Sequence, residues 1–224
     1  KFFLKKEKWQ LLLTTDNIWD FQKSLSEDQE KLYIMDTLDF SSVLSVSLAD
    51  GSTKVSTFSR KDRDVRVFIN NRNNQILGIV YDGLRPETRF IDGKINSAFQ
   101  RLSNSFPLSS VRYVSGEDSL EKIIVSISGE DSAFGYYLFN TSTLSLTRLK
   151  SALPKIKNMA KREMITYESS DGTLIPAILR LPLNINSLVN MPLIVIPKNA
   201  GEISTIEWQR DADFFSAKGY AVFS

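Results

Sequence analysis

Few residues of this chain have a type and spacing that could support chemistry. Paired carboxylates can act as general acid and general base. Possible pairs are Glu27–Asp28, Asp62/Asp64 and Asp211/Asp213. Each pair lies in a predicted turn or on the polar side of a predicted amphipathic helix, so solvated charge is the favoured interpretation. Lys198, which follows an apolar run, could anchor a substrate carboxylate, but a solvated loop lysine is favoured there too.

The commonest catalytic and metal-binding side chains are missing from the sequence. It contains no histidine and no cysteine, which removes the usual general base, the commonest metal ligand and any thiolate site. No Gly-x-Ser-x-Gly motif occurs either, so a Ser-His-Asp triad cannot be built from these 224 residues. We expect no catalytic residue, no metal and no cofactor in the chain.

Charge and hydropathy narrow the range of partners. The 28 basic residues nearly balance the 26 acidic ones, which gives no general attraction to nucleic acid. No apolar run approaches the roughly 20 residues that a membrane-spanning helix needs. We therefore expect neither a nucleic-acid partner nor a membrane span.

A repeat in the first two thirds of the chain predicts a β-propeller. Polar turn clusters precede apolar, β-rich runs that begin at Leu32, Ile76 and Ile123. The intervals of 44 and 47 residues fit a four-stranded propeller blade, which takes about 40–50 residues. Residues 1–150 are expected to form antiparallel four-stranded blades, interrupted by a helix over Ile95–Leu102. Three blades and a remnant are too few to close a propeller, which has at least about four.

The residues after 150 predict a different architecture. A basic linker at 151–162 is interpreted as a solvated hinge, and Asp171-Gly172 then joins two apolar runs as a hairpin. Pro192–Ile196 is expected to be a strand covered on both faces. The capping-box pattern Ser-x-x-Glu at Ser204–Glu207 predicts a helix start. Gly219 predicts the helix end, and a last apolar strand follows.

The two halves together resemble a known family. The segment FGYYLFNTSTLSLTRL (Phe134 to Leu149) reads like the closing strands of a blade. From Met164 the order of strand pair, strand, loop, helix and strand is that in which an α/β-hydrolase domain opens. The pairing resembles the prolyl oligopeptidase family of serine peptidases, most closely its acylaminoacyl-peptidase and dipeptidyl-aminopeptidase-like branch. It implies a mainly β chain, with C-terminal blades of a partial β-propeller at 1–150, a linker at 151–162, and the opening strands and first helix of an α/β-hydrolase domain at 163–224.

The resemblance also implies a role for the loop after Ile196. In the family this position usually reads His-Gly-Gly-Pro, and the backbone N–H after the histidine helps to form the oxyanion hole. Here Lys198 stands in place of the histidine and Asn199 in place of the first glycine. The backbone N–H groups of Lys198 and Asn199 are thus the oxyanion candidates. The alternative is an ordinary strand-to-helix loop, because Ala200 in place of a glycine tolerates positive φ poorly.

Two functional hypotheses follow from these observations. In the first, the chain is a fragment of a serine peptidase that hydrolyses short peptides through an acyl-enzyme. A fragment is expected because the chain begins at Lys1 without an initiator Met and ends before a nucleophile motif. In the second, it is a non-catalytic propeller interaction module with a degenerate hydrolase scaffold. In both, we expect an oligomer or the remainder of the parent chain to cover the open propeller edges.

Overall fold

A computed structural model describes residues 2–5, 8–11, 23–35, 42–130, 133–156, 159–183, 190–198 and 204–224. These residues form seventeen strands and two helices. They fall into two compact units, the first comprising Lys1–Asp82 and Glu87–Gly93, the second Gly83–Pro86 and Lys94–Ser224. The domain boundaries expected at 150 and 162 stay predictions.

The first unit contains three antiparallel sheets. The smallest pairs β1 (Phe2–Lys5) with β2 (Lys8–Leu11). A four-stranded sheet follows in the order β3 (Lys23–Leu25), β4 (Lys31–Met35), β5 (Val43–Ser47) and β6 (Thr53–Val55). A three-stranded sheet comprises β7 (Val65–Asn70), β8 (Ile76–Tyr81) and β9 (Glu87–Phe90). The two larger sheets share one apolar core, built from Met35, Val43, Val65, Phe68, Ile76, Ile79 and Tyr81.

The second unit begins its β structure with another antiparallel sheet. Helix α1 (Gly93–Asn104) comes first and buries Phe99 and Leu102, as the sequence predicts. The sheet then follows in the order β10 (Ser109–Gly116), β11 (Lys122–Gly129), β12 (Gly135–Asn140) and β13 (Leu146–Ser151). It is a four-stranded antiparallel meander of the kind expected for a blade.

The three positions of the sequence repeat lie on equivalent strands of three sheets, those of β3–β6, β7–β9 and β10–β13. Leu32, Ile76 and Ile123 lie in β4, β8 and β11, and each of these is the second strand of its sheet. The hairpin turn before each strand places one non-glycine residue at positive φ: Gln29 at 57°, Asn74 at 59° and Leu120 at 55°. The prediction of four strands is wrong for the sheet of β7, β8 and β9, which has three described strands because the chain enters α1 after β9.

The last sheet contains both antiparallel and parallel strand pairs, whereas the other described sheets are antiparallel. It contains β14 (Lys161–Glu168), β15 (Leu174–Leu181), β16 (Leu193–Val195) and β17 (Ala221–Phe223), in the order β14-β15-β17-β16. The predicted turn at Asp171-Gly172 joins β14 to β15, with Gly172 at a φ of 83°. Helix α2 (Arg210–Ala217) connects β16 to β17, and these two strands are parallel. The loop after β16 therefore emerges at the carboxyl ends of a parallel pair.

Two local predictions about this region are wrong. Helix α2 begins at Arg210 rather than near Ser204, and its N-cap is Gln209. The Gln209 N–H donates to Oδ2 of Asp213 at 2.7 Å, so a carboxylate one turn later satisfies this helix end. Strand β16 is an edge strand in the described sheet, and Val195 is 58% exposed, so it is not covered on both faces. Gly219 does end the helix as predicted, at a φ of 96°.

Neither helix in the described part of the chain has the length and apolar character that a membrane-spanning helix requires.

Candidate functional site

The loop after β16 borders a pocket of about 430 Å³. Most of its walls are apolar, and three polar residues, Lys198, Ser204 and Ser224, also line it. The apolar lining comprises Tyr167, Ile175, Pro176, Ala177, Val195, Ile196, Pro197 and Phe223. Ligand sites in α/β folds typically lie at the carboxyl ends of parallel strands, and this pocket lies at the ends of β16 and β17. Asn199 lies outside the described residues, so its role as an oxyanion donor stays a prediction.

The polar groups of the pocket differ in what they can do. The Ser224 hydroxyl accepts a hydrogen bond from Nη1 of Arg180 at 2.9 Å. A guanidinium only donates, so this contact cannot remove the proton that a nucleophilic serine must lose. Among the described residues, no cluster of carboxylates could hold a metal ion. The contact with Arg180 therefore does not activate Ser224 as a nucleophile, and the pocket offers a mainly apolar surface.

A buried ionic cluster lies next to the pocket. Arg162 and Arg180 are 1% and 0% exposed, and both approach the carboxylate of Asp213, which is 9% exposed. Nη2 of Arg162 lies 2.6 Å from Oδ1 of Asp213, and Nε of Arg180 lies 3.8 Å from Oδ2. Burial lowers the pKa of Arg180 to about 10, and the charge of Asp213 opposes that shift. The cluster links β14, β15 and α2 close to the parallel strands β16 and β17.

The sequence interpretation missed both ends of this ion pair. Arg162 was assigned to a solvated hinge and Asp213 to solvated charge, and both assignments are wrong, whereas Asp211 is exposed as predicted. Arg162 and Arg180 lie directly opposite each other on β14 and β15, whereas the predicted two-residue turn would have placed Leu181 opposite Arg162. Like charges directly opposite on adjacent strands repel. Two facing arginines therefore indicate that a carboxylate from elsewhere lies between them.

Residues 204–208, which we call the anchored segment, connect the loop after β16 to helix α2. Glu207 forms a two-pronged ion pair with Arg112 of β10, with Nη2 and Oε2 separated by 2.7 Å. The Trp208 N–H donates to the hydroxyl of Ser128 on β11 at 3.0 Å. These contacts give Glu207, predicted as half of a capping box, a partner 95 residues away.

Comparisons with known proteins give a likeness in structure only. No protein-family model matches the chain, and no curated protein sequence matches it. A solved prolyl endopeptidase matches 98% of this chain and 33% of its own, at 13% identity and a TM-score of 0.56. A post-proline cleaving enzyme from Rickettsia typhi matches 91% of this chain and 32% of its own, at 13% identity and 0.57. Dipeptidyl peptidase 4 from Porphyromonas gingivalis matches 90% of this chain and 29% of its own, at 12% identity and 0.58.

The chain has the fold of part of the prolyl oligopeptidase and dipeptidyl peptidase IV enzymes. Its antiparallel sheets match their propeller, which confirms the mainly β prediction. The chain spans about a third of the length of the solved structures that it matches. At such low identities the likeness shows the fold alone.

Proposed function

We propose that this chain forms the propeller-to-hydrolase junction of a serine peptidase that hydrolyses short peptides through an acyl-enzyme. In this proposal residues 1–150 are the C-terminal propeller blades, residues 151–162 the linker, and residues 163–224 the opening of the α/β-hydrolase domain. The acylaminoacyl-peptidase and dipeptidyl-aminopeptidase-like branch is the one that the sequence resembles most closely.

One observation carries the proposal. A four-stranded antiparallel sheet and a mixed sheet with a strand-loop-helix-strand unit belong to the same compact unit. The three solved peptidases described above match 90–98% of the chain, which supports the proposal. A fold supports many activities, but this succession of blade, hairpin and parallel unit is the one that the sequence predicted for such a peptidase.

The chain's role in the reaction is to present the loop after β16. The Ile196 N–H donates to the Phe223 carbonyl at 2.8 Å, which holds the end of β16 against β17. Pro197 then restricts the backbone, and Lys198 enters the pocket wall. The N–H groups of Lys198 and Asn199 are our candidates for stabilising the oxyanion, a contribution of about 3–4 kcal/mol per donor in serine peptidases. The nucleophile and its base come from outside these residues, because the sequence has no histidine.

A second candidate function has one observation in its favour. Lys198-Asn199-Ala200 stands where the family usually has His-Gly-Gly, and such a change fits a hydrolase scaffold that no longer catalyses. The chain would then belong to a propeller interaction module.

Fluorophosphonate labelling separates the two functions. The full natural protein that contains this chain should label at one serine outside these 224 residues and cleave acylaminoacyl or aminoacyl chromogenic peptides. The 224-residue chain alone should do neither, because an activated serine needs a neighbouring base. Exchanging the labelled serine for alanine is the matched control and should abolish both signals. A folded full protein that neither labels nor cleaves would indicate the interaction module, and stoichiometric labelling of the 224-residue chain at one serine would contradict the proposal.

A further inference from the structure

We infer that Arg112 and Glu207 are positioning residues that fix the far end of the loop after β16 to the blade formed by β10–β13. The inference rests on the proposed function for its effect on catalysis, and on geometry alone for the anchoring itself.

The anchored segment is held from three directions. Arg112 and Ser128 bind it from β10 and β11 of the blade. The Ile206 N–H donates to the Leu84 carbonyl at 2.7 Å, and the Ile206 side chain is fully buried. Nη2 of Arg180 donates to the carbonyls of Thr205 and Glu207, each at 3.0 Å. A five-residue segment with this many fixed contacts has little freedom to move independently of the blade.

The anchored segment also reaches the pocket. Its first residue, Ser204, is 7% exposed and lines the pocket together with Lys198. The loop after β16 therefore has two fixed ends, Ile196 by strand pairing and Ser204 by the anchored segment. Backbone donors are effective only when they are held within about 0.5 Å of their productive position. Fixing both ends of the loop is the means by which this chain could meet that demand.

The Arg112–Glu207 pair is an ion pair between two partly buried side chains. They are 24% and 20% exposed, and the fork geometry gives two parallel charge-assisted hydrogen bonds. The Glu207 carbonyl also accepts a hydrogen bond from Nη2 of Arg180, whose Nη1 binds Ser224 of the pocket lining. A displacement of Glu207 would consequently disturb the contact that Arg180 makes with Ser224.

The test uses the full natural protein and compares Arg112→Met with Arg148→Met. Arg148 lies on β13 of the same blade and is exposed, so its variant controls for loss of a surface charge. We expect Arg112→Met to lower kcat about 10- to 100-fold, since a misplacement of about 1 Å can cost 100-fold, with KM changing less than about threefold. Arg148→Met should change neither. The exchanged pair Arg112→Glu with Glu207→Arg should recover part of the loss in kcat.

Amide hydrogen exchange tests the anchor independently of whether the protein is a peptidase. In Arg112→Met, the Ile206 and Trp208 amides should exchange at least about tenfold faster than in the unsubstituted protein, whether or not the protein is a peptidase. An inactive wild type with this faster exchange would sink the proposed function and leave the anchor supported. A lower Tm with unchanged kcat and unchanged exchange would overturn the inference. If Arg112→Met does not fold, Glu207→Gln replaces it in the test, because it keeps the side-chain shape and weakens the ion pair with Arg112. Its kcat and its amide exchange are then measured in the same way.

Discussion

At the scale of single residues, the main feature is one buried carboxylate that two buried arginines approach. Arg162 and Arg180 face each other across the β14–β15 hairpin, and Asp213 of α2 approaches both. Other donors of the two guanidinium groups bind the carbonyls of Ala160 and Thr205 and the hydroxyl of Ser224. The helix is thereby fixed to the hairpin by charge as well as by apolar packing.

Removing that carboxylate should be far more harmful than removing its exposed neighbour. Asp213→Ala removes the carboxylate that both buried guanidinium groups approach, and breaking a buried pair from one side costs about 3–5 kcal/mol. Asp211→Ala, two residues earlier on the exposed side of α2, should change the free energy of unfolding by less than about 0.5 kcal/mol. Urea titrations followed by tryptophan fluorescence measure both values. Equal losses in the two variants would show that the cluster does not stabilise the fold.

At the scale of elements, local signals were predictable and distant partners were not. The three second strands were predictable, because polar turns and β-branched runs act within a few residues of each other. The start of α2 was misassigned because Glu207 binds Arg112, a partner 95 residues away that no local pattern reveals. Lys198 was singled out by its place after an apolar run and lines the pocket, while its role stays a prediction. Arg162 and Asp213 were missed because their burial depends on packing between elements.

Close packing between β8 and β9 gives a test of the middle sheet of the first unit. A Cβ atom on Gly78 would lie 2.7 Å from the Arg89 carbonyl oxygen and 3.2 Å from Cα of Phe90. Both are backbone atoms of the paired strand, so Gly78→Ala should lower the free energy of unfolding by about 1–3 kcal/mol. A Cβ on Gly93, at the start of α1, meets nothing within 4 Å. Gly93→Ala should be neutral or stabilise by up to about 1 kcal/mol, and thermal unfolding with the same loss in both variants would contradict this prediction.

At the scale of the whole molecule, the fold resembles that of solved peptidases, but the sequence lacks a residue that their chemistry requires. The likeness to solved peptidases covers nearly all of the chain, yet the sequence has no histidine to complete a triad. In the function that we propose, the chain contributes architecture: the blades, the hairpin and the placement of one loop. The mixed sheet presents one edge with exposed apolar side chains, strand β16.

That edge should make the 224-residue chain associate with itself. Strand β16 pairs only with β17 among the described residues, and Leu193 and Val195 are 56% and 58% exposed. Unpaired strand edges with apolar side chains invite pairing with another chain, and a lysine on the edge opposes it. We expect the chain to bind hydrophobic dyes and to scatter light as an oligomer at micromolar concentration, and Val195→Lys to reduce both signals. Phe214→Lys is the control, because Phe214 is 55% exposed on helix α2 and so does not lie on a strand edge. A monodisperse monomer of 25.4 kDa, or equal effects of the two substitutions, would show that β16 is not the associating edge.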